Sequence, residues 1–468
     1  MKIIGITLSS ILFLLYLYLA FLLNDLGLLS NKILLSIFVF VGVIILLVIF
    51  GMLKTKKNVL KISFFVISLL IMIACSVGIY YSNSTINFID NIGNSKENYD
   101  YYYVIVMKDS KYTKLNDLNG EKIGQINDLS QDVIDKIDIK YEKNGYDSTN
   151  ELVNALYDEK VSAIIISDIG EYLIENEDKD FTKKVRIIKT ISIKKEEEVE
   201  TSSKNITKEP FILYISGIDT GGSISKVSRS DVNIIATINP VSHEVLLTSI
   251  PRDYYVQLNG TTGTKDKLTH AGIYGVNKSI TTIEDLLQID IDYYAKVNFD
   301  TVVNLVDEIG GITIYSDQDL SFCTIKKGNN TVDGACALRF ARERKSYASG
   351  DRHRGENQEE VIEAIINKVQ TSPVILTKYN SILKNLEKNF ETNVSNDVVK
   401  DFIKMQIKDM PSWEVESLNL DGYDSHNYTY SGGNSVLYVM EPNEKSVNKA
   451  SETINAIISG KTFKDLGM

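Results

Sequence analysis

Three long apolar runs, at residues 3–23, 33–53 and 62–81, crowd into the start of this chain and limit what it can fold into. Each supplies the roughly 20 predominantly apolar residues that a helix needs to cross a hydrocarbon core. A cleaved signal peptide is the competing reading of the first run. That run is longer than a normal signal core, and no small-x-small cleavage site follows it. Lysines set the topology. The link between the second and third runs holds Lys54, Lys56, Lys57 and Lys61, whereas the link between the first and second holds only Lys32 and Asp25. The positive-inside tendency places the lysine-rich link in the cytoplasm. Three crossings then predict a multi-pass protein of the cell membrane, with a cytoplasmic N-terminus and everything after Tyr81 extracytoplasmic.

Beyond Tyr81 the composition is that of a soluble protein, and 468 residues call for about two or three folding units. The expected division is a membrane region at 1–82, a small accessory domain at 98–195 and a larger domain at 205–466. A net charge of −11 and a pI near 5.1 argue against nucleic acid as a partner, because phosphate backbones select basic surfaces. Cys75 lies in an apolar run and reads as packing. Cys323 and Cys336 lie in the exported part, where a disulfide closing a short loop and two free thiols are both open.

Residues 82–97 are polar and read as a short stalk. A compact α/β pattern starts with the β-branched and aromatic strand at 103–107. Residues 114–124, and 151–156 followed by 161–168, resemble segments of extracellular solute-binding proteins, the second being a helix that feeds a buried strand. About 95 residues resemble one lobe of such a protein, which leaves an interaction module and a ligand sensor both open. The charged run at 194–198 and Thr201-Ser202-Ser203 then form a solvated linker.

The larger domain begins with a near-continuous apolar strand at 211–215, as expected for a sheet covered on both faces. It leads to Asp219 and the flexible Gly221-Gly222. Strands at 232–238 and 245–250 flank a turn-rich link. If they form an antiparallel hairpin, its centre lies between Val241 and Ser242, and Asp231 and Arg252 are equidistant from that centre. They would face each other at the open end. A first strand parallel to the third would bring Asp219 to the same edge. The plainer reading is a single surface ion pair, which contributes little.

Arg342 and Arg344 are two residues apart, so an extended segment would aim both guanidiniums the same way. Guanidiniums on one side suit phosphate oxygens, which they grip in bidentate fashion. Carboxylates alone would repel phosphate; carboxylates holding Mg²⁺ would attract it. A helix is expected to open at Gln358, with apolar residues at 361, 362, 365, 366 and 369 on one face. Its first amides, at 355–357, would add to an anion site. Asp300 to Glu308 reads as another helix, ended by Gly310-Gly311 before a strand at 312–315. His243, His270 and His353 are scattered and read as structural. No Walker, Rossmann or Gly-x-Ser-x-Gly pattern occurs.

Ser230-Asp231, Ser249-Ile250-Pro251-Arg252-Asp253, Lys267-Leu268-Thr269-His270-Ala271, Val306-Asp307-Glu308-Ile309-Gly310-Gly311 and Phe340-Ala341-Arg342-Glu343-Arg344, followed by the segment from Asp351 to Gln358, resemble the LytR–CpsA–Psr family in order and spacing. The accessory domain and multiple spans look like its capsule-linked CpsA branch. The resemblance covers about residues 211–460. It implies an α/β/α domain around a mixed sheet, with an apolar tunnel for a polyprenyl chain. It further implies a transferase that moves a glycopolymer, capsular polysaccharide or a teichoic-acid type, from a polyprenyl-pyrophosphate carrier to a peptidoglycan hydroxyl in a Gram-positive type envelope. Polysaccharide-assembly proteins would be further partners.

By the same resemblance, Asp219 and Asp231 fall on metal positions for Mg²⁺ or Mn²⁺. Arg229, Arg252, Arg342, Arg344 and Gln358 fall on pyrophosphate positions, with Lys267 and Arg354 close by. Asp231, Arg252 and Arg344 are the expected catalytic residues. Many members carry arginine where this chain has Asn357. Two rivals stand beside the transferase: a hydrolase that releases polyprenyl phosphate to water, and a non-catalytic cell-wall sensor or regulator.

Overall fold

The computed structural model describes residues 2–27, 31–93, 99–194, 202–218, 224–347, 350–371, 378, 381–382, 384–385, 389–409, 411–433 and 435–468. Asp219, the Gly221-Gly222 loop and most of the charged linker lie outside these residues.

Three helices open the chain: α1 (Lys2–Leu26), α2 (Asn31–Lys54) and α3 (Asn58–Gly93). All three are long and apolar enough to span a membrane. They pack on one another through Leu12, Leu22, Ile45 and Cys75, while Leu14, Phe40, Phe50 and Val59 stay exposed. Large apolar side chains left outside a bundle are what a lipid surround demands. The third helix runs on through residues expected to be a stalk, since Ser82-Asn83-Ser84 lacks the Gly or Pro that would stop it.

The next unit is a five-stranded sheet of β1 (Tyr99–Met107), β2 (Lys122–Ile126), β3 (Glu142–Tyr146), β4 (Ala163–Ser167) and β5 (Val185–Lys194), in the order β3-β2-β4-β1-β5. β2 pairs parallel to β3 and β4, and β1 pairs antiparallel to β4 and β5. Helices α4 (Gln131–Asp135), α5 (Thr149–Tyr157), α6 (Asp168–Glu177) and α7 (Phe181–Lys184) complete it. The α5-to-β4 passage is the helix-into-buried-strand step expected there. Ser148 caps α5 by accepting from the Glu151 N–H, and Ile164, Ile165 and Ile166 are buried.

A six-stranded mixed sheet organises the rest. It contains β6 (Phe211–Ile218), β7 (Ser230–Asn239) and β8 (Glu244–Ser249). After the short pair β9 (Tyr255–Val256) and β10 (Asp266–Lys267) come α8 (Leu268–Ala271), α9 (Val276–Leu287), β11 (Tyr293–Asn298) and α10 (Phe299–Glu308). Then follow the ribbon β12 (Ile312–Ser316) and β13 (Gly328–Val332), α11 (Gly334–Ala341), α12 (Asp351–Thr371), β14 (Phe390–Thr392) and β15 (Glu414–Asn419). A hairpin of β16 (Gly422–Tyr428) and β17 (Val436–Pro442) precedes a helix at Glu444–Ile458.

The sheet order is β14-β11-β6-β7-β8-β15. Period-two alternation on β7 covers both faces. Ile235 joins Tyr214, Leu246, Ile283, Ala450 and Ile454 in a core under α9 and the 444–458 helix. Ile234 and Ala236 point the other way, toward Ile362 of α12 and Trp413. Both faces are covered, as the apolar run at 211–215 requires, and the domain is α/β with helices on either side.

Cys323 and Cys336 form a disulfide across 13 residues. It joins the loop after β12 to α11, beside a core of Phe322, Ile325, Val332 and Phe340. Replacing Cys323 by serine is expected to lower unfolding stability by about 3 kcal/mol, the value for closing a loop of this length. Urea unfolding with and without reductant checks it, and a loss below about 1 kcal/mol would contradict the structural role.

Candidate active site

The β7–β8 register decides where the charges fall. Asn239 pairs with Glu244 and Ile234 with Ser249, so continuing the ladder sets Asp231 opposite Arg252. The Ile250 N–H donates to the Asn233 carbonyl at 2.9 Å and extends the pairing in that direction. Arg252 Nη1 lies 2.7 Å from Asp231 Oδ2. The aspartate side chain is 5% exposed and the arginine 21%, so this is a largely buried pair rather than a surface one. Below it, Ser230 Oγ meets Tyr214 Oη, Ser216 Oγ and Asn233 Oδ1 in a buried polar network that fixes the start of β7.

Other elements converge on the same carboxylate. The Thr269 hydroxyl of α8 donates to Asp231 Oδ1 at 3.1 Å, and the Thr269 N–H donates to the Arg252 carbonyl. Arg354 of α12, buried, donates from Nη2 to the Asp231 main-chain oxygen at 3.0 Å and lies 3.6 Å from its Oδ2. Lys267 Nζ is 2.7 Å from Asp253 Oδ1, one residue beyond Arg252. A pocket at this convergence is lined by Asp231, Arg252, Arg352, Arg354 and Gln358, with Ser249, Gly355 and Asn419 among the rest. Arg252 and Arg354 meet Asp231 here while Arg352 is paired with Asp421, so the pocket wall carries three guanidiniums, each beside a carboxylate.

The LytR_cpsA_psr family matches residues 180–454. The chain belongs to this family. Among its relatives, the polyisoprenyl-teichoic acid–peptidoglycan teichoic acid transferase TagU of Bacillus subtilis (strain 168) is 35% identical over 199 residues, 42% of this chain and 62% of that protein. The TagV enzyme of the same name and organism is 32% identical over 261 residues, 53% of this chain and 65% of the relative. The chain thus spans less than two thirds of these relatives' length. The crystal structure of B. subtilis TagV superposes with a TM-score of 0.44 at 30% identity, over 55% of this chain and 99% of that one.

The residues expected from LytR_cpsA_psr motifs do not all meet in the pocket. Asp231, Arg252, Arg354 and Gln358 line it, and Lys267 reaches it through Asp253. Arg229 precedes β7 half-buried, and its Nε is buried without a hydrogen-bond partner among the described residues. Arg342 and Arg344 do not line this pocket. Their segment is not extended: Arg342 caps α11 in helical geometry, and Glu343 Oε1 accepts from the Arg344 and Ser346 N–H groups, folding the chain into a turn. Arg342 lies 4.6 Å over the Phe299 ring, and Arg344 is exposed.

The helix expected at Gln358 instead begins at Asp351, so the 355–357 amides lie inside it and do not form its N-terminus. Polar residues fill its first turns and hide them from a periodicity reading. Asn357 donates to the Phe340 carbonyl at 3.1 Å and ties α12 to α11.

Arg352, Ser249 and Asn419 were not singled out as site residues. Asn419 arrives through the parallel pairing of β15 with β8, a contact that no local pattern announces. Arg352 pairs with Asp421 at 2.8 Å and so joins α12 to the hairpin. Three histidines sit in structural settings: His243 is in the β7–β8 turn, His270 Nδ1 is 2.6 Å from Asp266, and His353 stacks on Tyr347. Burial, with Asp424 beside it, raises the Tyr438 phenol, so it stays protonated near neutrality and is no base.

Among the described residues no three His, Cys, Asp or Glu side chains group to hold a metal. The carboxylate of Asp231 is a hard oxygen donor of the kind a Mg²⁺-class cation takes, but its two oxygens already meet Arg252 and Thr269, and Asp219, the other expected ligand, lies outside the described residues. Partial burial separates the Asp231–Arg252 pair from a surface bridge. A double-mutant cycle on Asp231→Asn and Arg252→Gln is expected to give a coupling of about 1–3 kcal/mol in denaturant unfolding. A coupling below about 0.5 kcal/mol would return the pair to the surface class.

Proposed function

We propose that this chain is a membrane-anchored extracytoplasmic phosphotransferase that moves a glycopolymer from a polyprenyl-pyrophosphate carrier to peptidoglycan. The observation that carries the reading is the pocket itself, with Arg252, Arg352 and Arg354 around one buried carboxylate. Relatives bearing the name of teichoic acid transferases add support and favour a teichoic-acid-type polymer over a capsule. The lysine-rich link at 54–61 supports a cytoplasmic N-terminus. The Cys323–Cys336 bridge supports an oxidising, exported setting for the same domain.

The chemistry follows from charge. An acceptor hydroxyl attacks the sugar-linked phosphorus, and a new P–O bond forms. The bond from that phosphorus to the bridging oxygen breaks, and polyprenyl phosphate leaves with the electron pair. The hydroxyl proton passes to solvent. Arg252 and Arg354 offset charge on the departing phosphate, while Gln358 donates to phosphate oxygens. Asp231 anchors both arginines, so the donors are held before substrate arrives. Mg²⁺ or Mn²⁺ held by Asp219 and Asp231 would neutralise phosphate charge when bound. Arg229, Arg342 and Arg344 are assigned to the pyrophosphate, and Arg344 also to catalysis, on the family resemblance alone.

Labelled lipid-linked oligosaccharide, incubated with the full chain in detergent with and without peptidoglycan, tests the reading. Acceptor-dependent transfer is expected. Release of polyprenyl phosphate regardless of acceptor would make the protein a hydrolase instead. Arg252→Ala and Asp231→Ala are each expected to lower kcat/KM by about 10²–10³. Unchanged polymer attachment in both variants would favour the sensor reading.

A further inference from the structure

Glu359 follows Gln358 on α12 and does not line the pocket. Its side chain is 1% exposed, and neither carboxyl oxygen has a hydrogen-bond partner. Leaving an ionised carboxylate in that state is among the costliest arrangements a fold can hold. Across from it, Asn419 Oδ1 is likewise buried and unpartnered. Gly355, one turn earlier on the same helix face, has the same neighbours: a Cβ there would lie 2.6 Å from Ser249 Oγ and 3.4 Å from Asn419 Oδ1. Ser249 and Asn419 are the last residues of β8 and β15, and both line the anion pocket. Two buried acceptors thus stand without a donor at the same corner of the helix and the two strand ends.

We propose that Glu359 is a positioning residue held as the neutral acid, which donates its proton to Asn419 Oδ1 and so locks the ends of β8 and β15 that present Arg252 to the phosphate. This role rests on the pyrophosphate reading of the pocket. Ionisation would remove the donor and place a negative charge behind an anion site.

Burial pushes the Glu359 carboxyl from 4.5 up to about 9, with Glu356 adding to the rise. The Asn419 amide and the Ser249 N–H offset part of it, at geometry too loose to count as hydrogen bonds. Charges on the other elements packed against α12 are directed elsewhere. Glu416 of β15 faces Glu363, and Glu244 sits at the far end of β8 bonded to Ser242 and Phe463. Asp317 after β12 meets His353, and Arg339 and Arg342 at α11 lie over Phe322 and Phe299. On α12 itself, Glu360 accepts from the Tyr315 N–H and Arg354 turns to Asp231.

Farnesyl pyrophosphate binding to the full chain in detergent, followed against pH, tests the proposal. Wild-type affinity is expected to hold near neutrality and to fall about tenfold or more as pH passes about 9. Glu359→Gln, a neutral donor of the same shape, should match wild type near neutrality and lose that fall. Glu359→Met, of similar volume without a donor, should bind about tenfold more weakly throughout. Parallel pH profiles for wild type and Glu359→Gln, or equal affinities for the Gln and Met variants, would overturn it.

Thermal unfolding reads the buried acid independently of any ligand. Because the folded pKa is raised, its stability contribution is complete below pH about 4.5 and is lost as pH rises toward about 9. The Tm of Glu359→Gln should therefore gain on wild type across that window, and a constant difference would sink the buried acid itself. A widening gap with no farnesyl pyrophosphate binding by any form would overturn the pyrophosphate reading and the positioning role together, leaving only the buried acid.

Discussion

The candidate site depends on one carboxylate, Asp231, and on the strand pairing that places it. Arg252, Arg354 and Thr269 come from a strand end, a long helix and a one-turn helix, and all bond to this residue. Two partly buried guanidiniums would repel each other if left alone, and a desolvated aspartate would be costly unpaired. Together they form a set in which each charge has an opposite partner, with Asp253 also 3.6 Å from Arg252 Nε. On the proposed function, an incoming pyrophosphate would meet donors already held in place, with little reorganisation.

Gly355 makes the arrangement possible on the helix side. Residues 354, 355 and 358 share one face of α12, and that face meets the ends of β8 and β15. A Cβ at 355 would lie 2.6 Å from Ser249 Oγ, so the serine would have to turn or the helix to shift. With no Cβ there, Arg354 reaches the Asp231 carbonyl and Gln358 reaches the pocket wall. Close approach also buries Glu359, so the contact that builds the site creates its buried acid. Asn357, turned to the Phe340 carbonyl, fixes the helix rotation from the opposite side.

What the sequence revealed follows the range of the interactions involved. The β7–β8 hairpin was legible because its register follows from a short turn, and counting from Val241 and Ser242 pairs Asp231 with Arg252. The membrane helices were legible because bilayer thickness sets their length; only the α3 end, where no stop signal exists, was misplaced. Pairing of β15 with β8 links residues about 170 apart in the chain, so Asn419 had no local signature. The α12 start was misread because its first turns point charged side chains at the site rather than apolar ones at a core. Arg342 and Arg344 looked like an extended pair because nothing in Arg-Glu-Arg reveals that the central carboxylate will fold back on its own amides.

Strand directions explain why charges so distant in sequence share one edge. β6 and β8 both run antiparallel to β7, β11 runs parallel to β6, and β15 runs parallel to β8. Four of the six strands therefore deliver their C-terminal ends, Ile218, Asn298, Ser249 and Asn419, to the same side of the sheet. Ligands of α/β sheets collect at such edges because loops leaving parallel strands can vary without disturbing the ladder. Phe299, the residue after β11, carries Arg342 over its ring at this edge, while Arg252 and Arg354 stand beyond β8. The basic residues are thus distributed along the edge, with the pocket at one part of it.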